Sequence, residues 1–182
     1  KTSVVIRTIE QLEHPERVMV VKFDCLSSTD QERYRAGGIR AVTGLSGNQC
    51  PDHFYITNVE DCVKQGEKEE RSLLIVESAG PQKIGPMLKY ADIVVVTKGD
   101  IVSQAEREVF AFKVRQANAG AQIIFVNGIT GQGAFDLSRA WLEAPELNNG
   151  LKESRLRFSM PSALCSYCLG ETRIGEEYLK GN

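Results

Sequence analysis

Three short stretches of this chain carry side chains able to handle a phosphate, a divalent cation and a purine. The first is Lys1-Thr2-Ser3, which runs straight into Val4-Val5-Ile6. Phosphate-binding loops end in Gly-Lys-[Ser/Thr] and open into a helix; the lysine neutralises phosphate oxygens and the hydroxyl ligates Mg²⁺. Here the Lys-Thr pair is present without a glycine-rich half before it. The second is a pair of acids, Asp24 and Glu77, each following an apolar run. Mg²⁺ takes octahedral oxygen ligands, few of them from protein, so an acid at the carboxyl end of a strand suits it. Either acid taken singly also reads as a solvated turn. The third is Thr97-Lys98-Gly99-Asp100, directly after another apolar run. A carboxylate at Asp100 can accept from guanine N1–H and from its exocyclic amine, a pattern adenine does not offer. The Lys98 stem can lie along the purine face. The plainer reading is that Asp100 starts the loop before Ser103.

These groups need a scaffold, and periodicity supplies one. Val18–Phe23, Leu73–Val76, Ile93–Val96 and Ile123–Val126 are apolar nearly throughout, as strands covered on both faces of a parallel sheet are. Ile39–Thr43 is a weaker strand. Helical spacing appears over Thr2–Leu12, with Val5, Ile6, Ile9 and Leu12 on one side. Ser103-Gln104-Ala105-Glu106 is a capping box opening a helix to about Asn118, with Val109, Phe112 and Val114 available to pack. Gly133–Leu142 forms a last helix that would bury Phe135, Leu137 and Trp141. Strands alternating with helices predict an α/β fold with a mostly parallel sheet.

The order of these elements resembles that of a P-loop GTPase, and a narrower likeness follows. Asp24 through Thr57, with Thr29-Asp30-Gln31-Glu32-Arg33 and Ala36-Gly37-Gly38-Ile39-Arg40-Ala41-Val42, resembles the nickel-maturation GTPases of the HypB and UreG families, in the dimerising SIMIBI class. The likeness covers most of residues 1–142. It implies a three-layer P-loop NTPase fold and a Mg²⁺-dependent enzyme that binds GTP or GDP and hydrolyses GTP slowly. Lys1, Thr2 and Ser3 would meet phosphate and Mg²⁺, and Asp24 and Glu77 would hold Mg²⁺ or orient the attacking water. Thr97, Lys98 and Asp100 would read guanine, with Thr97 departing from the usual Asn. Asn127, Gly128 and Ile129 would fill the loop whose backbone N–H groups meet the guanine oxygen.

In those families a Thr-Gly strand end leads to a cysteine and a nearby histidine that bind metal between subunits. Here Thr43-Gly44 is followed by Cys50-Pro51-Asp52-His53, with Asp52 as an extra residue. Cys50 and His53 are suitable ligands for Ni²⁺ or Zn²⁺, and a two-fold homodimer would complete four. A client metalloenzyme or its maturation proteins would be the partner. Two other readings stay open: an ATPase of the same class, and a metal- or cluster-binding interaction protein that does not turn over nucleotide. The family pattern also places a further strand between Leu73–Val76 and Ile93–Val96. A segment is therefore expected to be absent between Gly80 and Pro81, as the front of the P-loop is before Lys1.

Composition bounds the rest. At 182 residues and 42% hydrophobic the chain can bury one ordinary core, giving a GTPase domain over 1–150 and a tail over 151–182. A formal charge of −2 gives no general attraction to nucleic acid or anionic lipid. No apolar run approaches the roughly 18 residues of a membrane span, and nothing resembles a secretory signal, so a cytoplasmic location is expected. Five cysteines do not form an even disulfide framework. Cys25 and Cys62 read as packing residues. In the tail, Cys165 and Cys168 form a single CxxC, a partial site for zinc or an Fe–S cluster, or two reduced thiols on a docking segment.

Overall fold

The computed structural model describes residues 1–49, 51–78, 84–147, 150–151, 153–157 and 171–178. Along the chain run α1 (Thr2–Ile9), β1 (Val18–Asp24), α2 (Asp30–Ala36), β2 (Arg40–Leu45), α3 (Pro51–Lys68), β3 (Leu73–Ser78), α4 (Ile84–Tyr90), β4 (Ile93–Val96), α5 (Gln104–Ala117), β5 (Gln122–Phe125) and α6 (Ala134–Leu142). The chain divides into two compact units, Lys1–Pro15 with Gln82–Pro145, and Glu16–Pro81 with Glu146–Asn182. Each pairing among β1 to β5 is parallel, as the apolar runs predict.

In the unit built on Glu16–Pro81 the strand order is β2-β1-β3. The β1 residues Val18 to Phe23 are all buried, which a strand with helices on both faces requires. Met19, Val21 and Phe23 point to one face and pack with Val59 of α3. Leu151 and Ile174, from the segment expected to hang as a tail, join this core. An antiparallel bridge between Arg155 and Arg173 ties residues 153–157 to residues 171–178. Gly44 has a packing role: a Cβ there would lie 2.9 Å from the Phe23 ring and 3.0 Å from Phe54. Its absence lets Phe23 stand edge-on to Phe54, with centroids 5.5 Å apart.

In the other unit β4 pairs with β5, and α1 and α6 cover one face. Val4, Ile124, Val126, Ala134, Leu137 and Ala140 form its core. The capping box is present: Ser103 Oγ accepts from Glu106 N–H at 3.3 Å, and Glu106 Oε2 accepts from Ser103 N–H at 2.8 Å. Two packing expectations are corrected. On α5, Ala111 and Val114 are buried while Val109 and Phe112 lie mostly in solvent; on α6, Leu137 is buried and Phe135 is exposed. The buried stripe of α5 passes through small Ala111, a weak hydrophobic signal beside two larger residues. The suspected gap at Gly80-Pro81 lies outside the described residues.

Candidate functional site

Lys1, Thr2 and Ser3 form the start of α1. Lys1 is its N-cap, and its carbonyl accepts from Val5 N–H at 3.1 Å. Thr2 is buried, and no acid occupies the first turn. A helix start without a carboxylate suits an anion, because its N–H groups and the positive end of the dipole point at it.

In the same unit, Thr97-Lys98-Gly99-Asp100 leaves the end of β4. Lys98 adopts φ 61° and ψ 27°, the left-handed region that a non-glycine residue enters at a cost of about 1–2 kcal/mol. Asp100 is exposed in the following tight turn, and its carboxylate has no hydrogen-bond or ion-pair partner among the described residues. Arg107 of α5 lies against Gly99, where a Cβ would be 2.9 Å from its Cδ. A mainly apolar cavity of about 330 Å³ opens beside this loop, reaching Ile101, Arg107 and Phe110 but not Asp100.

The third element is the turn after β5. Asn127 Oδ1 accepts from Ile129 N–H at 2.8 Å and from Thr130 N–H at 3.1 Å. Asn127 N–H itself donates to the Gln132 carbonyl at 2.9 Å. Of the three backbone donors expected to face a guanine oxygen, two are thus used inside the turn. The Gly128 N–H alone of the three has no partner among the described residues. Gly128 lies on the first turn of α1, with a hypothetical Cβ 3.1 Å from Ser3 Cβ and 3.3 Å from Val4 N. Gly133 closes the turn at φ 77°, where any Cβ would collide with the Phe125 carbonyl.

Asp24 and Glu77 belong to the other unit, and around them is a charged network. Lys22, on β1, is buried; its Nζ donates to Glu77 Oε1 at 2.9 Å and pairs with Asp30 Oδ2 at 3.1 Å. Tyr34, fully buried on α2, donates its hydroxyl to Glu77 Oε2 at 2.7 Å. Burial pulls the Lys22 pKa down, but hydrogen bonds and charges from Glu77 and Asp30 outweigh it and leave the ammonium above the ordinary lysine value. Asp24 Oδ1 accepts from Cys25 N–H at 2.8 Å, while Oδ2 is 3.9 Å from Lys22 Nζ. Its side chain is 28% exposed against 6% for Glu77. Ser46, whose N–H donates to the Asp24 carbonyl, is buried, and its hydroxyl has no hydrogen-bond partner among the described residues. The more exposed Asp24 carboxylate fits a hydrated Mg²⁺; Glu77, enclosed and with both oxygens engaged, does not.

Among the expected metal ligands, His53 is buried on α3, just after the Pro51 that begins the helix. Cys50, Cys165 and Cys168 lie outside the described residues. Among the described residues no three His, Cys, Asp or Glu side chains gather as a metal-binding group. Cys25 and Cys62 are free thiols, half-buried, and burial pushes the Cys62 thiol up. Lys22, Asp30 and Tyr34 were not anticipated as site residues. The available signal was a lysine inside an otherwise apolar buried strand, since a buried charge must be paired.

No family model matches the chain. It is similar to the uncharacterized protein MJ0120 of Methanocaldococcus jannaschii, 39% identical over 208 residues, with all of this chain and 88% of that protein covered. It is 25% identical over 182 residues to a hydrogenase maturation factor HypB of Rhizobium leguminosarum bv. viciae, covering 84% of this chain. The chain spans only 60% of that relative's length. Among solved structures, HypB from Archaeoglobus fulgidus superposes with a TM-score of 0.58 at 21% identity, over 76% of this chain and 81% of that one. HypB from Helicobacter pylori in complex with nickel gives a TM-score of 0.56 at 20% identity, over 78% and 80%. These structures share the fold. No helix among the described residues is long and apolar enough to cross a membrane.

Proposed function

This chain belongs to the family of the Methanocaldococcus jannaschii protein MJ0120 and resembles the HypB class of P-loop GTPases, and from that kinship we propose a guanine-nucleotide-binding protein that couples nucleotide state to metal handling for a client metalloenzyme. The observation that carries the nucleotide reading is Asp100: an exposed carboxylate without a partner among the described residues, held by a strained turn at the end of β4. Gly128 N–H, the open donor on the α1 side of the next turn, would meet the guanine oxygen. Lys1, Thr2 and Ser3 would meet phosphate. Mg²⁺, with the Thr2 hydroxyl as a ligand, would supply charge neutralisation on the phosphates. Asp24 would orient the attacking water. The metal handled would be nickel or zinc at Cys50 and His53, completed by a second copy of the chain. Relatives named as hydrogenase maturation factors, and a related fold in complex with nickel, support that choice. Cys165 and Cys168 would hold zinc or an Fe–S cluster, or dock the client. The physical logic is linkage: GTP favours the closed dimer, which assembles the metal site, and hydrolysis releases both.

The test is selectivity in Asp100→Asn. An amide cannot accept both guanine donors, and a lost charged partner is worth on the order of 1.5–3 kcal/mol, so preference for GTP over ATP should fall by tenfold or more. Fluorescent-nucleotide titration measures it; an unchanged preference would give the base to another residue. The engagement of both Glu77 oxygens favours a second reading, binding without turnover. Nucleotide binding with no phosphate release, even with metal and a second copy present, would select it.

A further inference from the structure

We propose that Lys22 is a resident cation that keeps Glu77 from ligating Mg²⁺, which makes it a positioning residue and leaves Asp24 as the metal-facing acid of its unit. The inference deepens the reading above and rests on it for its functional meaning. Its argument is local. Mg²⁺ binds oxygen at about 2.0–2.1 Å and demands near-octahedral access. Glu77 offers neither, since Oε1 accepts from Lys22 Nζ at 2.9 Å, Oε2 accepts from Tyr34 at 2.7 Å, and the side chain is 6% exposed. Asp30 is likewise engaged, with Oδ2 3.1 Å from Lys22 and Oδ1 3.2 Å from Arg33. The Lys22 ammonium thus lies 2.9 Å from Glu77 of β3, 3.1 Å from Asp30 of α2 and 3.9 Å from Asp24 of β1, and it offsets their charge. Only Asp24 keeps its outer oxygen beyond hydrogen-bond reach of that ammonium, at 3.9 Å.

Removing the ammonium should turn the corner into a divalent-cation site. Thermal unfolding without nucleotide, in buffer carrying NaCl or millimolar MgCl₂ or MnCl₂ at matched ionic strength, tests this on the whole chain. Lys22→Met leaves buried carboxylates uncompensated, so its Tm should fall on the order of 10 °C in NaCl. Much of that loss should return with Mg²⁺ or Mn²⁺. Lys22→Arg should remain near the original protein and indifferent to divalent ions, and Lys22→Met with Glu77→Gln should lose the divalent response. If Lys22→Met does not fold in NaCl, circular dichroism in the same buffers carries the measurement: folding restored by MgCl₂ or MnCl₂ supports the proposal, and no recovery in either overturns it. A lysine with a merely structural role would lower Tm without ion selectivity. Equal Tm for Lys22→Met in sodium and divalent buffers overturns the proposal, as does an equally large divalent rise in the original protein. No nucleotide is present, so a failure of guanine binding would show separately.

Discussion

Glu69, just after α3, accepts from Arg40 of β2 through both carboxylate oxygens, at 3.0 and 3.1 Å, and also from Gln65 and Arg71. The Arg40 hydrogen bonds, followed by that from Gln65, hold its carboxyl down to about 2. Glu171 is held to about 2 by Arg173. A carboxyl depressed in the folded state stabilises the fold above its unfolded pKa near 4.5, and that contribution is lost as pH falls from there towards 2. Tm should therefore drop between pH 4.5 and 2, and Glu69→Gln should flatten part of that drop. Thermal unfolding across pH 2–6 checks both. At this scale the sequence made Asp100 and Lys1-Thr2-Ser3 visible because each motif is contiguous. It hid the Lys22 network because Glu77 lies 55 residues away and Tyr34 looks like any core aromatic. It also could not reveal that the Asn127 side chain consumes the Ile129 N–H, since that depends on the turn's geometry.

Among the elements, the helix beginning after Ser103 was readable to its ends, because the cap is written in Ser103 and Glu106 and the stop falls at Asn118. Ser103→Ala removes the acceptor for Glu106 N–H and should cost about 1 kcal/mol, lowering Tm by about 2–4 °C. Differential scanning calorimetry would register it, and Ser103→Asp should restore most of the loss. The strands were legible as β-branched apolar runs, though the end of β5 moved by one residue. Helix α2 was not, because Asp30–Ala36 is short and mostly charged and Tyr34 is its single buried side chain. The exposed Val109 and Phe112 show the limit of spacing: it fixes which residues share a helix face, but tertiary contacts decide which face turns inward.

For the molecule as a whole, the alternating pattern announced a parallel α/β architecture, and the HypB-like fold agrees with it. The role of the last thirty residues was less visible. Leu151 and Ile174 are partly buried against the β1–α3 core, so replacing both by alanine should destabilise that unit by roughly 2 kcal/mol. Urea unfolding followed at Phe23-neighbour Tyr55 or by circular dichroism would detect this; a loosely hanging segment would show no change. Such contacts are long-range and involve two isolated apolar residues in a polar stretch, which no periodicity marks.

Lys22 and Glu77 also face each other directly in the pairing of β1 with β3. Their neighbours, Val18-Met19-Val20-Val21 and Leu73-Leu74-Ile75-Val76, are so uniformly apolar that hydrophobic burial hardly distinguishes one alignment from the next. A slip of one residue would set Lys22 against Val76 or Ser78 and turn Glu77 to the opposite face, stranding two buried charges. During folding the pair therefore acts as an alignment key. It penalises every wrong strand pairing that the greasy residues around it would have accepted.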